Sequence, residues 1–241
     1  MSALPDWARA MLPALFDEYV DEGFATGDLR VFDSPEALLQ VSGFKGWKKR
    51  DEPRGLGFRY RRLECHDRTP YYNVRLVNGW TNKAGERAKY LCPLGGPKRL
   101  YVPWGMSGDE MRDISKTLYL VEGEKKTLAV RQFGYRALGF SGVYGLHDVG
   151  VRKKTKAWKL LPDFAHVGLV GSSVRVIVDA DFNENKSVRD AMAVLKGMLL
   201  AEGAASADIV VSPQSPSLSA GAQPKSGIDD VIEHVMNGGE L

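Results

Sequence analysis

The feature that most constrains this chain is the rhythm of its second half, where short apolar runs alternate with amphipathic ones. LYLVEG is an apolar run ending in Glu-Gly, EKKTLAVRQFG carries helical spacing up to Gly134, and YRALGFSG is a second short run. After a long connection, VRVIVDAD, KSVRDAMAVLKGMLLAEG and ADIVVSP repeat the pattern. Strands that are apolar on both faces, separated by helices long enough for a crossover, predict parallel strands covered on both sides. The expected fold class is therefore α/β, a parallel sheet with flanking helices.

The preceding half has a different grammar. In LPDWARAMLPALFDEYVDEGF, Trp7, Met11, Leu15 and Tyr19 recur every four residues, the stripe of a helix that Pro13 should kink or split. SPEALLQV offers a Ser cap followed by Pro at the first helical position. From Gly55 to Pro103, runs such as GFRYRRLE, YYNVRLV and AKYLCPL, broken by Gly, Asn and Pro, predict a small β-rich unit. The expected organisation is an N-terminal helical segment over 1–44, a basic β-rich subdomain over 45–103 and an α/β domain over 104–241. PQSPSLSAGAQP reads as a loop before the final helix in GIDDVIEHVM.

Charge is distributed unevenly along this organisation. The net charge of +3 divides into −6 for 1–44, +10 for 45–100 and −1 for the remainder. A basic segment interleaved with Tyr60, Tyr71, Tyr72, Trp80 and Tyr90 suits a polyphosphate, since each phosphate neutralised by Lys or Arg releases a condensed counterion and aromatic rings stack on bases. Arg59, Arg61 and Arg75 fall at alternating strand positions and are expected to share one charged face. Lys98 and Arg99 extend the basic stretch, and RKKTKAWK is a further basic run.

Other function classes are disfavoured. No run of about 18 apolar residues occurs, and the N-terminus lacks a basic stretch followed by an apolar one, so a membrane or secreted protein is not expected and a cytoplasmic one is. Cys65 and Cys92 belong to no CxxC motif, and His66, His147, His166 and His234 have no metal-binding spacing. A GxxxxGK[ST] phosphate loop is absent, which excludes an ATP-driven helicase within this sequence.

The chemistry is expected from carboxylates. In a parallel α/β sheet, functional groups gather where strands end at their C-termini. Glu122 ends LYLV, and 57 residues later Asp179 and Asp181 follow VRVIV, an i, i+2 pair that extended chain would point to one side. Three acids on one rim repel unless a cation joins them, and Mg2+ suits oxygen ligands of this kind, with Mn2+ as a substitute.

A strand-end Glu-Gly with a helix behind it, followed by a strand-end DxD, resembles the Toprim domain shared by bacterial-type primases, type IA and type II topoisomerases and certain nucleases. The stretches KYLCPLGGPKRLYVP, LYLVEGEKKTLAVRQFGYRALGFSGVYGL, VRVIVDADFNENKSVRDAM and SGIDDVI are, in that order, similar to the primase-like Toprim modules of phage and plasmid replication proteins. The resemblance implies a Mg-dependent, primase-type nucleotidyltransferase that takes a single-stranded DNA template and nucleoside triphosphates, with a replicative helicase as partner. It implies Glu122, Asp179 and Asp181 as metal ligands and catalytic residues, with Asp229 of the late Asp-Asp pair beside them. Lys89 and Tyr90 would match a basic Lys-Tyr element. Lys125 and Lys126 depart from the usual pattern after the glutamate; one would reach a phosphate and the other solvent. The same acids would equally serve a Toprim-type nuclease, and a non-catalytic nucleic-acid-binding replication module is the third reading.

Overall fold

Two sheets of opposite character carry the computed structural model, which describes residues 4–43, 54–61, 63, 71–81, 87–93, 96–142, 144–148, 157–213 and 226–238. All of the loop PQSPSLSAGAQP but Pro213, and most of RKKTKAWK, lie outside the described residues, as do Cys65 and His66. The chain divides into two units, Met1–Pro97 and Lys98–Leu241.

In the first unit, Pro13 splits the expected helix into α1 (Asp6–Arg9) and α2 (Asp17–Ala25). A proline has no N–H to donate, so the carbonyls of this turn need another donor. Arg9 provides it. Its guanidinium donates to Leu12 O at 2.5 Å and Leu15 O at 2.6 Å and pairs with Asp17 at 2.6 Å. Ser34 caps α3 (Pro35–Ser42) by accepting from the Ala37 N–H, with Pro35 in the first turn as the sequence requires.

Between these helices runs β1 (Leu29–Phe32), which begins an antiparallel sheet of order β1-β2-β3-β4 with β2 (Gly55–Tyr60), β3 (Tyr71–Thr81) and β4 (Arg87–Leu91). Residues 1–44 therefore do not form a separate helical segment. Phe32, Leu38, Tyr72, Val74, Leu76 and Leu91 form the core between one sheet face and α3. The opposite face is no more open, since Leu56, Phe58 and Tyr60 are also buried.

The second unit holds the parallel sheet, of order β6-β5-β7-β8. It is made by β5 (Leu118–Glu122), β6 (Arg136–Phe140), β7 (Ser173–Val178) and β8 (Ser206–Val211), every neighbouring pair being parallel. Leu118, Leu120, Val121, Leu138, Val174, Val176 and Val178 are all buried, the signature of a sheet covered on both faces. The helices are α4 (Gly108–Arg112), α5 (Glu124–Arg131), α6 (Lys186–Ala201) and α7 (Ile228–Met236). Val121, Val130, Ala137 and Ile177 pack with Ile228 and Ile232, which seats α5 and α7 on one face. Among the described residues, no helix is long and apolar enough to cross a membrane.

The boundary falls between Pro97 and Lys98 rather than after Pro103. Tyr101 explains the shift: its N–H and C=O exchange 2.8 Å hydrogen bonds with Gly139, so this segment lines the outer edge of β6. At the other end of that strand, Arg136 is 1 % exposed and donates to Met111 O (2.5 Å), Gly168 O (2.7 Å), Ser172 Oγ (3.0 Å) and Lys116 O (3.2 Å). Burial pulls its pKa below the usual guanidinium value. These bonds tie the N-terminal ends of the strands to the loops beneath them.

Candidate active site

The sheet order creates one special position. From β5 the chain passes first to β6 on one side and then, through a long connection, to β7 on the other, so the order reverses between β5 and β7. The crevice beyond the C-terminal ends of two such strands is where ligands bind in open α/β sheets. Glu122 is the last residue of β5. Because Val121 is level with Ile177, Glu122 is level with Val178, and Asp179 follows one residue later. Both carboxylates thus stand at the reversal point.

The backbone holds these ends firmly. Gly123 N–H donates to Phe140 O at 2.8 Å, and Thr127 Oγ1 donates to Gly123 O at 2.7 Å, which fixes the turn from β5 into α5. Ala180 N–H donates to Ser226 O at 3.0 Å, which ties the end of β7 to the segment entering α7. Asp179 keeps extended backbone, but Ala180–Asn183 form a 3-10 turn. The i, i+2 argument for a common direction therefore fails for Asp181, because the strand stops at Val178.

Both lysines that follow Glu122 turn inward. Lys126 Nζ donates to Asp179 Oδ1, with the two side chains 21 % and 26 % exposed. Lys125 Nζ lies 3.3 Å from Asp229 Oδ2, with side chains 14 % and 10 % exposed. Neither lysine is the solvent-facing one that the sequence suggested, because α7 delivers Asp229 to Lys125 and the end of β7 delivers Asp179 to Lys126. Asp229 is buried, and its Oδ1 has no hydrogen-bond partner among the described residues. It does not cap α7. That task belongs to Asp230, whose Oδ2 accepts from the Gly227 N–H at 2.8 Å. Gly227 was not singled out from sequence, yet a Cβ there would sit 2.5 Å from Lys126 Cε and 2.7 Å from Asp229 Oδ1. The Ser-Gly immediately before Ile228 is the signal that marks it.

The donor chemistry suits a hard cation: carboxylate oxygens at two adjacent strand ends, a buried carboxylate oxygen without a donor, and a lysine ammonium already drawn to Asp179. Among the described residues, no three His, Cys, Asp or Glu side chains gather into a group that could hold a metal ion. Glu122 and Asp179 are the residues that could hold a cation of the magnesium type, which commonly takes one or two carboxylates and completes its shell with water and phosphate oxygens.

Arg59 and Arg75, expected to share one charged face of the antiparallel sheet, do not share it. Arg59 pairs across the sheet with Tyr72, whereas Arg75 pairs with Leu56. Since 56 and 59 differ by an odd number, these arginines project from opposite faces. Arg61 is engaged by Asp28, which is 3 % exposed, through bonds of 2.9 and 3.3 Å. Arg75 lies over the Tyr90 ring at 5.9 Å. Lys89 is exposed on β4. Lys98 and Arg99 belong to the second unit, where Lys98 Nζ donates to Tyr144 O at 2.8 Å.

A family model described as a domain of unknown function (DUF3854) matches residues 110–239, which is more than half of the chain and includes Glu122, Asp179, Asp181 and Asp229. No curated protein matches the chain.

Proposed function

We propose that this chain, which belongs to the DUF3854 family, is a primase-like, Mg-dependent nucleotidyltransferase acting on single-stranded DNA in phage or plasmid replication. The observation that carries the reading is the placement of Glu122 and Asp179 at the C-terminal ends of the two strands between which the sheet order reverses. The resemblance of the Glu-Gly and DxD stretches to Toprim modules supports it independently, since neither register nor strand order enters that comparison.

In this reading Glu122 and Asp179 hold the cation, and Asp181 lies one turn beyond for a water-mediated or substrate-dependent contact. A bound Mg2+ supplies neutralisation of the triphosphate and a lowered pKa for the attacking 3′ hydroxyl. Lys126 and Lys125, each now paired with a carboxylate, then orient phosphate oxygens. The backbone ties at Gly123 and Ala180 keep the strand ends fixed, so that positioning, rather than covalent chemistry by side chains, is what the protein contributes.

One observation favours a second reading. Lys126 already neutralises Asp179, as it would in a non-catalytic nucleic-acid-binding module that needs no metal. Incubation with single-stranded DNA, labelled nucleoside triphosphates and Mg2+ separates the possibilities. Lengthened products that disappear in Asp179→Asn and Glu122→Gln are the expected result. Shortened products would assign a nuclease, and unchanged DNA with retained binding would assign the non-catalytic module.

A further inference from the structure

Beyond β6 the chain makes a turn that presents aromatic rings at the same end of the sheet as Glu122. Phe140 is level with Glu122, and Ser141 and Gly142 leave the strand directly. Gly145 N–H donates to Gly142 O at 2.6 Å, and a Cβ on Gly145 would lie 2.5 Å from Ser141 O, so the turn requires glycine. The next residues are clasped to a distant segment. Asp148 N–H donates to Lys159 O at 2.9 Å, Leu161 N–H donates to Leu146 O at 3.0 Å, and His147 bridges Leu160. Leu146, Leu160 and Leu161 are buried and anchor the clasp.

The rings carried by this clasp form a stack. Tyr144 and Trp158 are nearly parallel, at 14°, with centroids 6.0 Å apart. His147, 2 % exposed, lies 4.5 Å from Trp158 and 5.6 Å from Tyr144. Tyr144 itself is 40 % exposed. Lys98 Nζ donates to the Tyr144 carbonyl at 2.8 Å, which places an ammonium group at the backbone of the residue that carries the ring. A rigid, backed and half-exposed aromatic ring with an adjacent ammonium group matches what a nucleotide offers, a flat base and a phosphate.

We propose that Tyr144, backed by Trp158 and His147 and flanked by Lys98, is a stacking platform for a nucleobase entering the rim between β5 and β7. The choice of a nucleobase rests on the function proposed above; the geometry of the platform does not. The base can come from a single strand or from a free nucleoside triphosphate.

The test is binding in EDTA, so that no turnover is needed. Fluorescence anisotropy would compare a short oligothymidylate with an abasic strand of equal length, and a nucleoside triphosphate would be measured by competition. Tyr144→Ala should weaken oligothymidylate or triphosphate binding by about tenfold, within the range for one stacked base. Abasic-strand binding should be unchanged, and Tyr144→Phe should bind as wild type does. Tyr144→Leu keeps the apolar volume without the π face; it should melt as wild type does and bind as Tyr144→Ala does. Equal affinity of wild type and Tyr144→Ala for both base-bearing ligands would overturn the proposal, as would equal losses with the abasic strand. Wild type that makes no product yet discriminates bases through Tyr144 would refute the catalytic reading alone; product formation with no effect at Tyr144 would refute the platform alone.

Discussion

Replacement of Lys126 by Met tests whether its ammonium group holds the place of a cation. The Lys126–Asp179 pair is partly buried, with about a quarter or less of each side chain exposed. Two unit charges about 4 Å apart attract by roughly 4 kcal/mol at an effective dielectric constant of about 20. Desolvation and the ordering of a long side chain offset most of that, leaving about 1–2 kcal/mol. Lys126→Met should therefore lower the melting temperature in EDTA by about 2–8 °C for a chain of this size. If Mg2+ and Lys126 compete for Asp179, the variant no longer has to give up the ion pair, and its affinity for Mg2+ should rise by about five- to thirtyfold. Differential scanning fluorimetry over a Mg2+ series measures both quantities, with Lys125→Met as the comparison that leaves Asp179 paired. A variant whose melting temperature rises with Mg2+ no more than that of wild type would show that the cation does not displace Lys126.

Asp179→Asn and Glu122→Gln should each abolish Mg-dependent product formation with the fold retained. Crowded carboxylates alone would make Asp179→Asn slightly stabilising, but the loss of its pairing with Lys126 should instead cost about 1 kcal/mol, read from denaturant melts. Arg136→Leu should cost about 3–5 kcal/mol, because buried carbonyls and Ser172 Oγ lose their donor, while product formation by the remaining folded protein is normal. Joint neutralisation of Lys89 and Lys98 should flatten the salt dependence of single-strand binding by about 0.7 of a log unit for each phosphate that is no longer neutralised, whereas Arg61→Ala should destabilise the fold and leave the slope unchanged. Asp230→Ala should cost about 1 kcal/mol at every Mg2+ concentration, as removal of a helix cap does, and Asp229→Asn should alter the response to Mg2+ instead.

The parallel sheet was legible because its strands are short apolar runs separated by helical ones, with β5 and β6 buried on both faces, and need no partner to be recognised. VRVIV and LYLV are apolar at every inward position, and the caps at Ser34 and the break at Pro13 act locally. What depends on pairing was not legible. Arg59 and Arg75 lie on different strands, and whether they share a face is decided by a register that β2 and β3 set between them. The extended-chain argument for Asp181 lost its basis at Ala180, since nothing in VDADF marks where extended backbone yields to a 3-10 turn. The engagement of Lys125 needed Asp229 of α7, about a hundred positions later in the chain, and that of Lys126 needed Asp179 at the end of β7. The Arg9 clasp was missed for a similar reason, because orphaned carbonyls are visible only after the helices around Pro13 have been placed.

The two ends of the parallel sheet are stabilised by different means, and the difference bears on function. At the N-terminal end, the Arg136 Nη groups donate chiefly to backbone carbonyls, which cannot be exchanged for another ligand without unfolding the loops that carry them. At the C-terminal end, Lys125, Lys126, Asp179 and Asp229 satisfy one another through side chains, and Asp229 Oδ1 is left over. A divalent cation can replace an ammonium group beside a carboxylate, and a phosphate can replace a carboxylate beside an ammonium group, without breaking a backbone hydrogen bond. The Gly123 and Ala180 backbone bonds would survive such an exchange, so the strand ends would keep their positions while their charges changed partners. Rigid backbone under exchangeable charges is the arrangement that binding of metal and polyphosphate requires, and among the described strands it is found where β5 and β7 end.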